Sequence, residues 1–342
     1  MYRLPRMRFA AAGLALAALL SQSARAQSVE EFYKGKQIKL LIGGGAGGNY
    51  DTYARIFIKH LSRHIPGKPD IIPQNQSGAG GITAANQIFT GPQDGSIFGA
   101  LPRTLPLDPL LSDRAFEFDP QKLKWLGSLA VETNMIITWQ TSPVKTVEDL
   151  WKHEATFAAT AINTDGFIFS RLINDFLGGK MKPVAGYKGS PEMFLAMERG
   201  EVDGRAGVPW STIRSAQGDW VKEKKINLVT QLALRKDPEL PQVPLLLDYV
   251  KDPLHRSAFE VLFMRQEMGR PYVIGPNVPA DRVKALRDAF AASVKDPELL
   301  ADMKKADLDL DFRSGDEVQA LVAKAYASPQ PVIDMLKNLL KG

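Results

Sequence analysis

The sequence predicts an α/β fold built as two lobes. Apolar, β-rich runs alternate with segments of helical spacing, which is typical of layered strands and helices. Two strand–helix–strand sets are separated by a mid-chain stretch, and the residues that follow the first 26 suit two domains of ordinary size. Because the chain has no Cys, disulfides and thiolate zinc sites are excluded, and burial must hold the fold together.

The first set begins with a continuous apolar run over 38–42, which predicts a buried strand that ends in glycines. Helical spacing starts at Asp51 and places its apolar side chains on one face. The next elements are a strand at Ile71 and Ile72, a helix over 82–89 and a strand over 97–101.

The second set has the same order. Strands are predicted over 156–160, 181–184 and 202–205, and helices over 166–177 and 190–199, the second capped by Ser190. From Asp281 the tail is mostly amphipathic helix, with breaks at Asp296-Pro297 and Ser328-Pro329. No internal repeat or low-complexity segment is found.

The N-terminus carries the features of a cleaved export signal. Arg3, Arg6 and Arg8 precede an uncharged apolar run over 9–20, and Ala24-Arg25-Ala26 offers small residues to signal peptidase. The run is shorter than the about 20 residues that a transmembrane helix needs, and no later segment approaches that length. We expect a signal peptide over 1–26, a mature chain that begins at Gln27, and diffusion in the periplasm.

The charge balance argues against nucleic-acid binding. The formal net charge of +5 falls largely in the leader, which has four Arg and no acid. The mature chain is therefore nearly neutral and lacks the basic surface that nucleic acid requires.

The most informative segment is the Gly-rich loop over 43–51, which joins the first strand to the first helix. Glycines let a backbone approach a ligand closely, and a helix N-terminus favours an anion. A carboxylate or phosphate site is one interpretation. A tight turn without a ligand is the other.

The same loop contains Gly43-x-Gly45-x-x-Gly48, the pattern of dinucleotide-binding folds, so an NAD-dependent oxidoreductase is an alternative. That fold needs an acidic residue at the end of the second strand to hold the ribose. Here the strand ends Pro73-Gln74-Asn75, with Asp70 at its start. Export also separates the chain from nicotinamide cofactors. We therefore expect no enzymatic activity, no catalytic residues and no cofactor.

A second Gly-rich turn, residues 77–81, also follows a strand and opens a helix. In α/β sheets, ligands bind outside the carboxyl ends of the strands. Two such turns on neighbouring strands favour an anion site over an accidental turn.

With these motifs in order, the chain resembles the receptors of tripartite tricarboxylate transporters, the Bug or TctC-like family of periplasmic binding proteins. The motifs that carry the resemblance are Tyr33 to Leu41, Gly47-Gly48-Asn49-Tyr50-Asp51, Ala54-Arg55, Asn75 to Gly81, Asp94-Gly95, Tyr187-Lys188-Gly189-Ser190, Gly200-Glu201-Val202-Asp203 and Gly275-Pro276-Asn277-Val278-Pro279. Their order, which runs from about Tyr33 to Val322, is specific although no single motif is.

The resemblance implies a type II periplasmic-binding fold: two lobes, each with a central mixed sheet flanked by helices, joined by crossover strands. Lobe 1 would comprise residues 27–137 and 262–342, and lobe 2 residues 138–261. A small carboxylate would be held between the lobes by the two Gly-rich turns and by the turn over 160–166. The ligand-binding residues implied in this way are Gly47, Gly48, Asn49, Tyr50, Asp51, Ser77, Gly78, Ala79, Gly80, Thr160, Asn163, Thr164, Asp165 and Gly166.

The chain departs from the family pattern in two places, which leaves the ligand's identity open. The first loop lacks the common Pro-Pro, and Asp203 is followed by Gly204-Arg205. Arg205, placed at a predicted strand end, is a candidate carboxylate ligand, with an ion pair to Asp203 or a solvated charge as alternatives. Arg103, just after the third strand, is a second candidate. Asp203 is also a candidate ligand contact. Asp51 is expected to fix the conformation of the first loop rather than to touch an anionic ligand.

Other chemistry lacks support in the sequence. His60 and His64 have metal-pair spacing but no accompanying Glu or third ligand, so we expect surface residues and no metal site. The expected partners are a small organic acid and the integral-membrane permease of a tripartite transporter, with no nucleic acid, and the protein is expected to be a monomer. A ligand sensor for a signalling partner would use the same fold and remains the alternative.

Overall fold

The computed structural model describes residues 27–162 and 164–341, so the predicted export signal over 1–26 and the predicted site residue Asn163 lie outside the described residues. Two β-sheets, each flanked by helices, form the framework. The α/β prediction is thereby confirmed. Within residues 27–162 and 164–341, the helices are too short or too polar to span a bilayer.

The first sheet has six strands in the order β11-β4-β10-β3-β1-β2. β1 pairs in parallel with both β2 and β3, and β10 runs antiparallel to β3 and β4. Its strands are β1 (Gln37–Ile42), β2 (Asp70–Asn75), β3 (Ile97–Ala100), β4 (Lys124–Ser128), β10 (Pro271–Ile274) and β11 (Arg313–Ser314).

The second sheet has five strands in the order β7-β6-β8-β5-β9. β6 pairs in parallel with β7 and β8, while β5 is antiparallel to β8 and β9. Its strands are β5 (Asn134–Trp139), β6 (Ala155–Ala159), β7 (Met181–Ala185), β8 (Gly204–Pro209) and β9 (Ile226–Leu232).

The helices cover both faces of each sheet, because each has one apolar stripe to bury. In chain order they are α1 (Val29–Tyr33), α2 (Asn49–His64), α3 (Ile82–Thr90), α4 (Asp108–Leu111), α5 (Asp149–Lys152), α6 (Asp165–Leu177), α7 (Ser190–Glu198), α8 (Trp210–Lys222), α9 (Pro253–Glu267), α10 (Ala280–Ser293), α11 (Pro297–Lys305), α12 (Gly315–Tyr326) and α13 (Gln330–Lys341). Short 3₁₀ turns cover Gly78–Gly81 and Leu246–Tyr249.

The chain crosses between the sheets twice, after β4 and again between β9 and β10. The crossing segments and the tail also pack the two halves together. Phe169 of α6 lies against Phe263 of α9, and Arg171 of α6 donates to the carbonyl of Leu339 in α13. The lobe limits at 137/138 and 261/262 stay a prediction.

Two predicted details are wrong. The strand placed over 202–205 is β8, Gly204–Pro209, so Arg205 is its second residue and Pro209 its end. Ser190 is the first residue of α7 rather than its cap, a position held by Gly189, and no side chain caps this helix.

Candidate functional site

The two sheets share a topology that marks one point in each as a ligand site. β1 lies between β2 and β3, and β6 lies between β7 and β8, so the chain order reverses at β1 and at β6. In open α/β sheets, ligands bind outside the carboxyl ends of strands at such reversals. The first Gly-rich loop follows β1, and the turn over 160–166 follows β6.

The two Gly-rich turns of the first sheet touch each other. A Cβ added to Gly81 would lie 2.8 Å from the carbonyl oxygen of Gly43, and one added to Gly43 would lie 2.6 Å from the Pro102 ring. Both positions therefore need glycine for close approach. The predicted neighbourhood of the turns is present in the structure.

Space remains open beside these turns. A Cβ added to Gly45, Gly47 or Gly80 would meet no atom within 4 Å. In the second turn, the non-glycine residue Ala79 has a φ of 50°. Left-handed backbone at a non-glycine residue is uncommon and clusters at ligand-binding positions.

Asp51 fixes the first loop, as its spacing indicates. Its carboxylate accepts hydrogen bonds from the Gly47 N–H at 2.9 Å and from the Asn75 amide at 2.9 Å, and it pairs with Arg55 at 2.8 Å. Burial opposes ionisation, but these hydrogen bonds and the Arg55 charge hold the pKa of Asp51 below its ordinary value. The carboxylate is thus committed to loop structure.

Asn75 links the loop to the end of β2. Besides Asp51, its amide N–H bonds the Gly44 carbonyl at 3.0 Å, and its oxygen accepts from Arg55 at 3.0 Å. A ribose-binding acid would occupy this strand end in a dinucleotide-binding fold. The residue present is an amide whose groups are already used, which removes support for the oxidoreductase alternative.

Arg103 connects the two sheets. Its Nη2 donates to Asp165 Oδ2 at 2.8 Å, its Nη1 pairs with Glu132, and its backbone N–H donates to the Tyr50 hydroxyl at 3.0 Å. Asp165 opens α6 at the reversal point of the second sheet, and Asn134 also donates to it, at 3.3 Å. This ionic cluster spans the gap between the reversal points.

Arg270 completes the same cluster. Its Nη1 lies 2.7 Å from Glu132 Oε1, and its guanidinium stacks 4.8 Å from the ring centres of both Tyr50 and Tyr53. Sequence reasoning missed Glu132 and Arg270, because they lie in crossing segments that carry no motif. Their sequence shows only one acidic and one basic residue next to predicted strands, which does not indicate that they pair.

The remaining residues of the turn over 160–166 have mixed roles. Thr164 precedes α6, but its hydroxyl donates to the Ala161 carbonyl at 2.7 Å instead of capping the helix. Gly166 is tightly packed, since an added Cβ would lie 3.0 Å from the Ala206 carbonyl oxygen. Thr160 is partly exposed at the end of β6.

Asp203 does not lie with the other candidates. It precedes β8, and its carboxylate accepts from the Thr156 N–H at 2.8 Å and from the Thr156 hydroxyl at 2.9 Å. Thr156 is near the amino end of β6, opposite the edge where ligands bind. Its carboxylate is held by Thr156 in this structure, and its role as a ligand contact stays a prediction.

Arg205 matches neither of the alternatives to a ligand role. Asp203 is occupied by Thr156, and the Arg205 side chain is buried, with 6% of the residue exposed, so it is not solvated. In register it lies level with Ala158 of β6, which is itself level with Val184 of β7. Arg205 therefore lies near the carboxyl ends of β6 and β7, although it is the second residue of β8.

The histidine prediction is partly wrong. His60 is buried, at 5% exposed, and bonds Asp302 at 3.0 Å, while His64 bonds Asp296 at 2.8 Å. Both fasten α2 to α11. Among residues 27–162 and 164–341, no group of three or more His, Cys, Asp or Glu could hold a metal ion.

A cavity of about 600 Å³ lies beside the second Gly-rich turn, and α4, the segment after it and α13 form much of its wall. The second Gly-rich turn contributes Ala79, the segment after Arg103 contributes Thr104, and α6 contributes Ile168. Its volume suits a small ligand. The cavity also reaches Arg265, which is mostly buried and lies 3.5 Å from Asp108.

Two sheets, two crossings and facing reversal points define the two-lobe fold of periplasmic binding proteins. No family model matches the chain. It is 23% identical over 334 residues to a UPF0065 protein in the gbd 5′ region of Cupriavidus necator, covering 96% of this chain and 94% of the relative. A UPF0065 protein from the tcbD–tcbE intergenic region of Pseudomonas sp. strain P51 is 24% identical and covers 87% of this chain and 90% of the relative.

Solved structures of binding proteins have a similar fold. A TctC solute-binding protein from Polaromonas superposes with a TM-score of 0.72 at 17% identity, covering 90% of this chain and 99% of that one. An R. palustris protein with adipate has a TM-score of 0.60 at 19% identity, covering 88% and 97%. MatC from Rhodopseudomonas palustris with bound malate has a TM-score of 0.55 at 15% identity, covering 89% and 99%. The chain has the fold of the TctC and Bug proteins, and the resemblance predicted from its motifs is confirmed.

Proposed function

We propose that this protein is a periplasmic receptor that captures a small carboxylate between its lobes and delivers it to the permease of a tripartite tricarboxylate-type transporter. The observation that carries the proposal is the contact between the two Gly-rich turns at the reversal point of the first sheet, with open space beside Gly45, Gly47 and Gly80. Main chain without side-chain bulk, next to the N-terminus of α2, suits a carboxylate.

Arg103 supplies the positive charge in this proposal. It already joins the first sheet to Asp165 of the second, so a ligand carboxylate that entered the gap would meet a guanidinium linked to both lobes. Ligand contacts with both lobes would stabilise the closed form, and the permease would recognise that form. The neighbours that carry adipate and malate support a small organic acid as the ligand.

The export signal that the sequence predicts over 1–26 supports a periplasmic location for the receptor. The similar solved structures are binding proteins rather than enzymes, which supports a role without catalysis.

The test begins with native mass spectrometry of freshly purified protein, which would reveal a retained acid by its mass. A thermal-shift screen then covers malate, adipate and shorter aliphatic diacids, with the matched monoacids, aromatic acids and amino acids. At least one acid should raise the unfolding temperature in a concentration-dependent way. If no acid does, or if only NAD or a neutral or cationic compound does, the proposed function is wrong.

A further inference from the structure

The feature that this inference uses is the side chain of Arg205 in the second sheet. Its Nη2 donates to the Ser190 hydroxyl at 3.2 Å, whereas Nε and Nη1 are buried with no hydrogen-bond partner among the described residues. Within residues 27–162 and 164–341, no carboxylate lies within ion-pairing distance of it. Besides the Ser190 hydroxyl, the guanidinium contacts the Phe194 ring, whose centre lies 4.5 Å away.

Burying the Arg205 guanidinium without a counter-ion costs free energy. A buried charge normally has a counter-ion, because removing an ion from water costs far more than a neutral contact returns. Burial lowers the pKa of Arg205 to about 10, which still leaves the side chain charged at neutral pH. A cation–π contact offsets only part of the loss of hydration.

The position adds a second reason to expect an anion. Ser190 is the first residue of α7, which runs to Glu198, and the N-terminus of a helix carries partial positive charge. Arg205 therefore lies beside a charge of its own sign. The acid in that first turn, Glu192, accepts the Lys188 N–H at 2.6 Å and is committed to the loop.

The location connects this feature to the candidate site. Arg205 is level with Ala158 of β6 and, through it, with Val184 of β7. These strands end where the turn over 160–166 and α7 begin. The Arg205–Ser190 pair thus lies near the edge of the second sheet that holds its reversal point.

We propose that Arg205 and Ser190 form an oxyanion subsite at the N-terminus of α7, which binds a second anionic group of the captured acid. This inference rests on the proposed function for the ligand's first carboxylate. It makes the ligand a dianion whose distal group must be ionised, since a neutral amide or hydroxyl would leave the guanidinium unpaired. A carboxylate, a sulfonate and a phosphonate share the required chemistry.

The first experiment tests the subsite without any assumption about transport, with sulfate as the probe. Unfolding temperatures of wild type, Arg205→Met, Arg205→Lys and Ser190→Ala are measured in sodium sulfate and in sodium chloride at equal ionic strength. Sulfate stabilises proteins generally, so Arg214→Met, which alters a partly exposed paired arginine, is the matched control. We expect an additional sulfate increment in wild type and in Arg214→Met that is lost in Arg205→Met and reduced in Ser190→Ala.

Stability in chloride gives an independent readout. Because Arg205→Met removes an unpaired buried charge, its unfolding temperature in chloride should equal or exceed that of wild type. A lower temperature in chloride, combined with an unchanged sulfate increment, would assign Arg205 a structural role and overturn the subsite. Should the Met variant fold poorly, the unfolding temperatures in sulfate and in chloride are compared for Arg205→Lys instead. That variant keeps the charge.

The second experiment tests the ligand class by calorimetry with pairs that differ only in distal charge: succinate and succinamate, glutarate and glutaramate, adipate and its monoamide, together with 3-sulfopropanoate and 3-phosphonopropanoate. Wild type should prefer a diacid to its monoamide, and Arg205→Met should weaken diacid binding by about 30-fold or more with little change for the monoamide. Equal affinities for acid and amide, or a preference that survives in Arg205→Met, would overturn the inference and leave the proposed function standing. Sulfate binding without any acid binding would instead refute the proposed function and leave the anion subsite.

Discussion

The Nη2 atom of Arg103 lies 2.8 Å from Oδ2 of Asp165, and this contact joins the segment after β3 to the first turn of α6 across the gap between the sheets. Both residues are candidates for the site, but in this structure each neutralises the other. Glu132 also pairs with Arg103, so the guanidinium has two carboxylates of the chain itself. A ligand carboxylate would have to compete with them.

The first prediction follows from that competition. Asp165→Asn keeps the size and hydrogen-bonding capacity of the side chain but removes its charge, so Arg103 gains freedom to pair with an anionic ligand. We expect malate or adipate, whichever binds wild type, to bind about tenfold more tightly to the variant in isothermal titration. Arg103→Met should weaken the binding of the same acid.

A second set of ion pairs, made by Arg214, provides the control for this prediction. Arg214 of α8 pairs with Asp309 and with Glu239 at partly exposed positions, and it makes no ion pair with Arg103's partners Asp165 and Glu132. Arg214→Met should change affinity by less than about 0.5 kcal/mol, as surface substitutions usually do. Weaker binding in Asp165→Asn would contradict the competition and indicate that Asp165 contacts the ligand directly.

The second prediction concerns the open space beside the first Gly-rich loop. Gly45 has a φ outside the left-handed region, and an added Cβ would meet nothing within 4 Å, so Gly45→Val should fold normally. Its isopropyl group would stand where a ligand approaches the main chain. We expect loss of acid binding with a far-UV circular dichroism spectrum like that of wild type.

Gly218→Ala is the matched control, because this glycine of α8 also has open space around it but lies far along the chain from the loop. It should bind like wild type. Normal binding by Gly45→Val would show that the loop is only a turn. Gly48→Val and Gly80→Val are less clean tests, since an added Cβ at Gly48 lies 3.2 Å from the Gly45 carbonyl and Gly80 has a φ of 69°.

The third prediction concerns the export signal. Cells that express the full chain should release into the periplasmic fraction a protein whose N-terminus is at or near Gln27, as determined by Edman or mass-spectrometric analysis. Ala24→Asp and Ala26→Asp together should block processing, since signal peptidase needs small residues there. Processed protein from that double variant, or full-length wild-type chain in the membrane fraction, would contradict the cleavage site.

The local parts of the fold could be predicted from sequence, because their signals lie within a few residues. β1 with its Gly-rich loop, α3 and α6 fall within one or two residues of the predicted bounds. The strand over 202–205 was misplaced because Val202 is buried and apolar but precedes the strand. The pairing of β6 with β8, which sets the register, is not a local property.

The ionic cluster could not be predicted for a related reason. Glu132 and Arg270 lie in different crossings, and they meet because β4 pairs with β10 just before one crossing and just after the other. Nor does the sequence distinguish a solvated arginine at position 205 from a buried one. That difference depends on how α7 packs over the sheet, which brings Phe194 and Ser190 to the guanidinium.

The last prediction tests whether Asp51 serves the loop or the ligand. Its hydrogen bonds from Gly47 and Asn75 and its pairing with Arg55 hold its pKa below the ordinary value of 3.8, despite opposing burial. A carboxyl group whose pKa is lower in the folded state contributes stability above its unfolded pKa and loses it as pH falls through the folded value. Asp51→Asn should therefore lower the free energy of unfolding by about 1–3 kcal/mol at neutral pH, the cost of unsatisfied buried partners. Urea unfolding measured from pH 7 down to pH 2 gives the difference in free energy of unfolding between wild type and Asp51→Asn. This difference should be constant above about pH 5 and should shrink below pH 3.8. Asp70→Asn, at an exposed position on β2, should show no such advantage. An unchanged stability of Asp51→Asn together with lost acid binding would move Asp51 from the loop to the ligand.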